Sequence, residues 1–236
     1  MIRVLGIIPA RGGSKGVKNK NIRRIAGEPL IQYAINACKA SKKLTQFVVS
    51  TDSKQIREIA DKAGCVVIDR PDALSTDTSS VVDAALHTLS IVEESGNHFD
   101  AILLIQPTSP IRTGEDLDKV IGILETSPEV DAVVSVVKVE DAHPARMYLK
   151  DKSNLLTSFL PEYESTRRQD LPPVFHRNGS IYLVRREPLV TDRTFMPQKK
   201  AGYVMDSEHM VNIDTERDVV IAEIIVQEWK DSQSKT

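Results

Sequence analysis

Five short aliphatic runs, rich in β-branched residues, recur along the first 139 residues, and four stretches with apolar side chains at helical spacing lie between them. The runs are RVLGIIPA (3–10), QFVVST (46–51), GCVVID (64–69), DAILLIQ (100–106) and DAVVSVVKV (131–139). They are near-continuously apolar rather than alternating, the pattern of strands covered on both faces. Between them PLIQYAINACKAS (29–41), SKQIREIADKAG (53–64), SSVVDAALHTLSIVEES (79–95) and GEDLDKVIGILETS (114–127) read as amphipathic helices, with Ser53 and either Thr78 or Ser79 as N-caps and Thr113 capping the fourth. The alternation predicts a three-layer α/β/α fold around a mostly parallel sheet. At 236 residues the chain can bury one large core, or a core with a substantial insert.

From about residue 140 the rhythm stops. The stretch to residue 179 scatters prolines, charges and aromatics, and is too long for a plain connection. The expectation is therefore a core of residues 1–139 and 191–236, with 140–190 forming an insert that carries its own hairpins. Within it, SIYLVRREPLV (180–190) reads as a strand. The chain closes with a short strand ending near Asp214, a terminal helix through VVIAEIIVQEW, and a polar tail DSQSKT expected to fray.

The first strand runs into ARGGSKGVKNKN (10–21). Gly12, Gly13 and Gly16 allow a tight turn with amide hydrogens pointing inward, while Arg11, Lys15, Lys18 and Lys20 add positive charge. In open α/β sheets ligands collect at the carboxyl ends of strands, and this loop leaves one. A triphosphate suits it. Neither GxxxxGK[ST] nor GxGxxG is present, so the loop is of another kind. The net charge of −2, with 27% charged residues, excludes a general polyanion binder; nucleic acid is not an expected partner and any phosphate attraction is local. No apolar run reaches the length of a membrane span and the start lacks a signal-peptide layout, so a cytoplasmic location with no membrane association is expected. Cys38 and Cys65, without CxxC spacing, read as buried reduced thiols.

IIPARGGSKGVKNKN (7–21), LIQPTSPIR (104–112), RQDLPPVFHRNGSIYLV (168–184) and VNIDTERDVVIAE (211–223), in that order, resemble the acylneuraminate cytidylyltransferase family. The resemblance covers residues 2 to about 228. It implies a Rossmann-like core of the nucleotide-diphospho-sugar transferase type with a dimerisation insert, and a homodimer or dimer of dimers as the assembly. It also implies Mg²⁺ (or Mn²⁺) dependence and transfer of CMP from CTP to a nine-carbon 2-keto sugar acid, with release of pyrophosphate. Related CMP-Kdo synthetases have a shorter opening loop with fewer lysines.

By resemblance Arg11, Ser14, Lys15 and Lys20 hold the phosphates, beside the Gly12 turn, with Arg11 and Lys20 offsetting charge in the transition state. Asn21 and Arg70 lie near cytosine and ribose, and LSTDTSS (74–80), Ser79 included, contacts the nucleotide. Gln106, Thr108 and Ser109 meet the sugar acid, while Arg112 supports their loop. Arg168 and Arg146 serve the sugar carboxylate, from an insert that reaches the other subunit's site. Asp214 is the principal metal ligand and a catalytic residue, joined by Asn212 where the family shows a second aspartate, with Asp206 as a compensating acid. His176 stands where an arginine is common, and Arg177 substitutes for it. Asn178, Gly179, Ser180 and Tyr182 read as a turn into a strand, and His87, His98, His143 and His209 as isolated residues without ligand spacing.

Bland readings stand beside these. Arg70 is equally a surface cation before a turn proline, QPTSP a proline-shaped turn, and Asp214 a helix cap. Other functions compete: a sugar-phosphate or isoprenoid nucleotidyltransferase, which leaves RQDLPPVFHRNGSIY unexplained, a nucleotidyltransferase for another sugar acid such as Kdo, and a noncatalytic nucleotide-binding regulator, for which Asn212 is the foothold.

Overall fold

Val4 and Ile8 point to one side of the first strand, Leu5 and Ile7 to the other, and all four are fully buried. A strand with two buried faces needs helices on both, and the chain supplies them. In the computed structural model, which describes residues 1–208 and 210–233, the first half runs β1 (Val4–Pro9), β2 (Arg24–Ile25), β3 (Glu28–Pro29), α1 (Leu30–Ala40), β4 (Gln46–Thr51), α2 (Lys54–Lys62), β5 (Val66–Asp69), α3 (Val81–Glu93) and β6 (Ala101–Ile105). There follow α4 (Gly114–Thr126), β7 (Ala132–Lys138), β8 (Tyr148–Lys150), β9 (Leu156–Ser158), β10 (Phe175–Arg185), α5 (Arg186–Thr191), β11 (Lys200–Met205) and α6 (Glu216–Gln233).

Seven strands form one sheet in the order β11-β7-β10-β6-β1-β4-β5, in which only β10 runs against its neighbours. Helices α1, α2 and α4 cover one face through Ile31, Ile35, Ile56, Val120 and Leu124. On the other face α3 and α5 bring Ala85, Leu89, Val92 and Leu189 against Leu5, Ile7, Ile102 and Leu104. A third core joins α6 to the opening loop: Val219, Ala222 and Val226 pack with Val17, Ile25, Tyr33 and Ile213. Val17, fully buried inside a basic loop, therefore anchors that loop.

Three expected elements differ. Residues 180–190 are not one strand: β10 starts at Phe175 and ends at Arg185, and α5 follows, with Pro188 in its first turn, where a missing N–H is tolerated. Residues 175–185 thus pair within the central sheet and 186–190 lie in α5, while the earlier part of the expected insert carries the β8–β9 hairpin. The last strand of the sheet is β11, paired parallel with β7 from Lys200 to Met205, and not the segment ending at Asp214. Residues 211–214 bury Val211 and Ile213 while exposing Asn212 and Asp214, and Ile213 N donates to the Thr108 carbonyl at 2.9 Å instead of joining a ladder.

Helix ends refine the picture. Ser53 and Thr113 cap α2 and α4, but Ser80, whose side chain accepts from Val82 N, caps α3 in place of Thr78 or Ser79. Residues 231–233 of the expected tail continue α6, and 234–236 lie outside the described residues, as does His209.

Candidate nucleotide and sugar-acid site

The loop after β1 opens onto a cleft of 690 Å³ at the carboxyl ends of the central strands. Arg11, Lys15, Lys20, Arg70 and Arg177 supply its cationic side chains, and Asp77 and Asp214 its carboxylates. Backbone contact holds the loop to the segment before α6. A Cβ on Gly16 would stand 1.9 Å from the Asp214 carbonyl oxygen, so only glycine lets the two chains pass. Lys20 Nζ donates to the Ile213 carbonyl and to Asp214 Oδ1, both at 2.9 Å, with its side chain 16% exposed. Asp214 Oδ2 accepts from Asn212 Nδ2 at 2.5 Å.

Asp214 does not cap the following helix. Thr215 does, its hydroxyl 3.3 Å from Asp218 N, while Asp218 Oδ2 accepts from the Asp214 and Thr215 amides at 3.0 and 2.7 Å. Those two amides, in that order, hold the Asp218 carboxyl below its ordinary value. The exchange satisfies the helix terminus without using the Asp214 carboxylate, which stays directed at Lys20.

Several expected residues support the cleft, and Gly12, Ser109 and Arg112 do so without lining it. Gly12 is one, its amide donating to Asp52 Oδ1 at 2.8 Å. Asn21 is buried, and its Nδ2 donates to the Arg11 carbonyl at 3.0 Å, shaping the loop while also lining the cleft. Ser109 is buried off the cleft, its Oγ 3.1 Å from the Asn178 carbonyl and 3.2 Å from Asn212 Oδ1. It orients Asn212. Arg112 is buried beneath the loop and donates to Ser180 Oγ at 2.9 Å and to the Gln106 and Ser109 carbonyls. Burial pulls its pKa down to about 10.

Ser14, Ser79, Gln106 and Thr108 do line the cleft. So does Arg70, which is no surface cation: it is 8% exposed and donates through Nη2 to the Ser50 carbonyl at 2.7 Å. Burial lowers its pKa, with Asp52 opposing. Arg146 and Arg168 are elsewhere, in a second cavity of 680 Å³ within the insert. There Arg146 Nη1 donates to the Glu164 carbonyl at 2.5 Å, and Arg168 donates to the Glu140 carbonyl. Asp206 lines a third cavity, not the cleft.

Two residues gain importance from the structure. Asp77 pairs with Arg11 at 3.0 Å and Lys15 at 2.9 Å, and the Lys15 hydrogen bond, ahead of the other contacts, holds its carboxyl below the ordinary value. Arg177 stands over the Tyr182 ring at 5.8 Å, where the β10–β7 register shifts, and reaches the cleft beside His176. Its position follows from the irregularity, because a bulge re-aims the side chains that precede it. Gly179, at φ +79°, supplies the backbone conformation within that shift. Sequence offered a cue to Arg177 in the HRNG run, while Asp77 lay inside LSTDTSS, a segment expected to meet the nucleotide through backbone and hydroxyl groups rather than through a carboxylate.

Helices on both faces of a mostly parallel sheet, with a cation-lined cleft at the strand ends, define an α/β fold of the nucleotide-diphospho-sugar transferase type. The chain belongs to the cytidylyltransferase family, whose model matches residues 5–226. It is 31% identical over 231 residues to the N-acylneuraminate cytidylyltransferase of Escherichia coli O18:K1:H7, covering 98% of this chain and 54% of that protein. The CMP-N,N'-diacetyllegionaminic acid synthase of Legionella pneumophila is 32% identical, with 96% of this chain and 97% of that one covered. The chain thus spans about half the length of the first of these relatives and nearly all of the second. A solved CMP:2-keto-3-deoxy-manno-octonic acid synthetase complexed with CTP has the same fold, with a TM-score of 0.70 at 15% identity over 96% of this chain and 99% of that one.

Proposed function

We propose that the chain transfers CMP from CTP to the anomeric hydroxyl of a nine-carbon 2-keto sugar acid, N-acetylneuraminate or a related nonulosonate, and releases pyrophosphate. The observation that carries this reading is the Lys20–Asp214 pair, set in one cleft with the basic loop on one side and Gln106 and Thr108 on the other. The cations suit a triphosphate. The neutral amide and hydroxyl suit a polyhydroxylated acceptor.

In the reaction the sugar oxygen bonds to the α-phosphorus as the bond to the pyrophosphate oxygen breaks, and the hydroxyl's proton passes to solvent. Catalysis is positioning and neutralisation. Arg11, Ser14 and Lys15 hold phosphate oxygens, Lys20 meets charge growing around the α-phosphate, and Arg70 and Ser79 adjoin the nucleoside. Arg177 is the guanidinium that the same chain offers to the sugar carboxylate.

Mg²⁺ fits the donor set. Among the described residues no three His, Cys, Asp or Glu side chains cluster, but magnesium takes one carboxylate together with substrate phosphates. Asp214 would hold it. When bound, the ion neutralises phosphate charge. Asn212, donating its amide hydrogens to Asp214, adds no second carboxylate, so metal affinity should be weaker than at a pair of aspartates.

The assembly we infer is a dimer. Leu149, Leu155, Leu156 and Phe159 of the hairpin region are each more than half exposed, an apolar surface that suits a second copy. Such a copy would bring Arg146 and Arg168 toward the neighbouring cleft. A cytoplasmic location accords with the two buried free thiols and with the absence, among described residues, of a helix able to cross a membrane.

Pyrophosphate release measured with each nucleoside triphosphate and a panel of nonulosonic acids and Kdo tests the proposal. Turnover with CTP and a nonulosonate is expected; turnover with another nucleotide or Kdo alone, or binding without turnover, would overturn it. The last outcome would favour a noncatalytic regulator.

A further inference from the structure

A site lined for polyphosphate places a carboxylate on its own cations. Asp77 Oδ1 lies 3.0 Å from Arg11 Nη1, and Oδ2 lies 2.9 Å from Lys15 Nζ. Arg11 Nη1 also donates to the Thr76 carbonyl at 2.7 Å. One loop thus engages both leading cations of the basic turn. It has its own internal frame: Ser79 Oγ donates to the Ala73 carbonyl at 3.1 Å and accepts from Thr76 N at 3.0 Å. The loop therefore presents Thr76 and Asp77 as a shaped surface. A carboxylate with an oxygen on each of two cations mimics what two oxygens of a phosphate would do there. Lys15 is 77% and Asp77 38% exposed, so these pairs sit in high dielectric and yield to a stronger anion.

We propose that Asp77 is a specificity-determining residue that competes with phosphate for Arg11 and Lys15, yields to a triphosphate, and retakes both cations as pyrophosphate leaves. This rests on the reading of Arg11 and Lys15 as phosphate ligands. An incoming ligand must outbid one carboxylate at both cations. A triphosphate does so by adding oxygens that reach Lys20 as well, whereas a nucleoside monophosphate can match the carboxylate at Arg11 and Lys15 but offers no further phosphate to engage Lys20 at the same time. After transfer, the shorter and less fully held pyrophosphate again faces a tethered rival, which favours its release.

Calorimetric titration with inorganic pyrophosphate and with CTP tests this on the wild type, Asp77→Asn, Asp77→Ala and Asp77→Glu. The proposal expects both neutral variants to bind pyrophosphate about tenfold more tightly, and CTP more tightly too. It expects Asp77→Glu to stay near wild type, and added pyrophosphate to inhibit the neutral variants at lower concentration. Unchanged or weaker pyrophosphate binding in both neutral variants, beside a wild type that binds CTP, overturns the role of Asp77 alone. A wild type that binds neither ligand overturns the phosphate-site reading and this inference with it.

Discussion

A methyl group on residue 16 would collide with the backbone oxygen of Asp214 at 1.9 Å, and backbone cannot swing aside as a side chain can. Gly16→Ala should therefore separate the basic loop from Lys20's partner. We expect CTP affinity to fall at least about tenfold, or roughly 1.4 kcal/mol, in a titration of the folded variant. Lys20→Met keeps the stem and removes the charge, so kcat for pyrophosphate release should drop by about 10²–10³ while the protein stays folded. A loss confined to KM would instead mark Lys20 as a ground-state contact. At this scale the positions of Arg11, Lys15 and Lys20 were legible because the glycine-rich basic run leaves the carboxyl end of a strand, where ligands collect, although such a run taken alone reads equally as a solvated basic turn. The status of Gly12, Asn21 and Ser109 was not. Each has a hydrogen bond to a residue between 10 and 103 positions away, Arg11, Asp52 or Asn212, and no local pattern encodes such a partner.

Helix α4 shows how elements fix the site from a distance. It follows the Gln106–Arg112 loop, begins with the Thr113–Asp116 capping box, and ties to the end of α1 through Asp118. The Asp118 carboxylate accepts from Ser41 Oγ at 2.6 Å, Lys42 N at 3.0 Å and Lys43 N at 2.9 Å. Burial is the largest influence and would raise its pKa, but these three donors outweigh it and the carboxyl titrates below its ordinary 3.8. A folded value below the unfolded one means stability that is complete well above pH 3.8 and lost as pH falls through the folded value. Asp118→Ala should cost about 1–3 kcal/mol at pH 7. Its denaturation midpoint should also fall less steeply than wild type below pH 4, about where an unperturbed Asp titrates; an acid limb identical to wild type would refute the assignment. The five strands of the first 139 residues and four of the helices were readable from periodicity alone, although β5 is an edge strand with Val66 exposed rather than a strand covered on both faces. β11 was not, because its outward residues are exposed and a glycine interrupts its apolar pattern. Nor was the end of β10 read, although Arg185, Arg186, Glu187 and Pro188 separate the strand's apolar residues from Leu189 and Val190 of α5.

At the scale of the molecule, one chain carries a cleft with five cationic side chains and a separate cavity with two arginines expected to serve the same substrate. A second copy is what joins them in this account. Leu149→Asp with Leu156→Asp should shift the protein from dimer to monomer in sedimentation and reduce turnover at saturating CTP; a monomeric wild type, or monomeric variants with full activity, would exclude the shared site. The overall class could be read from strand and helix order, while the separation of Arg146 and Arg168 from this chain's own cleft was expected only through the family resemblance, since sequence proximity within the insert says nothing about which cleft a residue faces.

The most direct measurement is phosphorus NMR of CTP and a nonulosonic acid incubated with the wild type and with the Arg11→Ala, Lys20→Ala double variant, both checked for folding and dimer formation. The account predicts CMP-sugar and pyrophosphate in equal amounts with the wild type and neither with the folded double variant. CMP-sugar formed by that variant at the wild-type rate would contradict it.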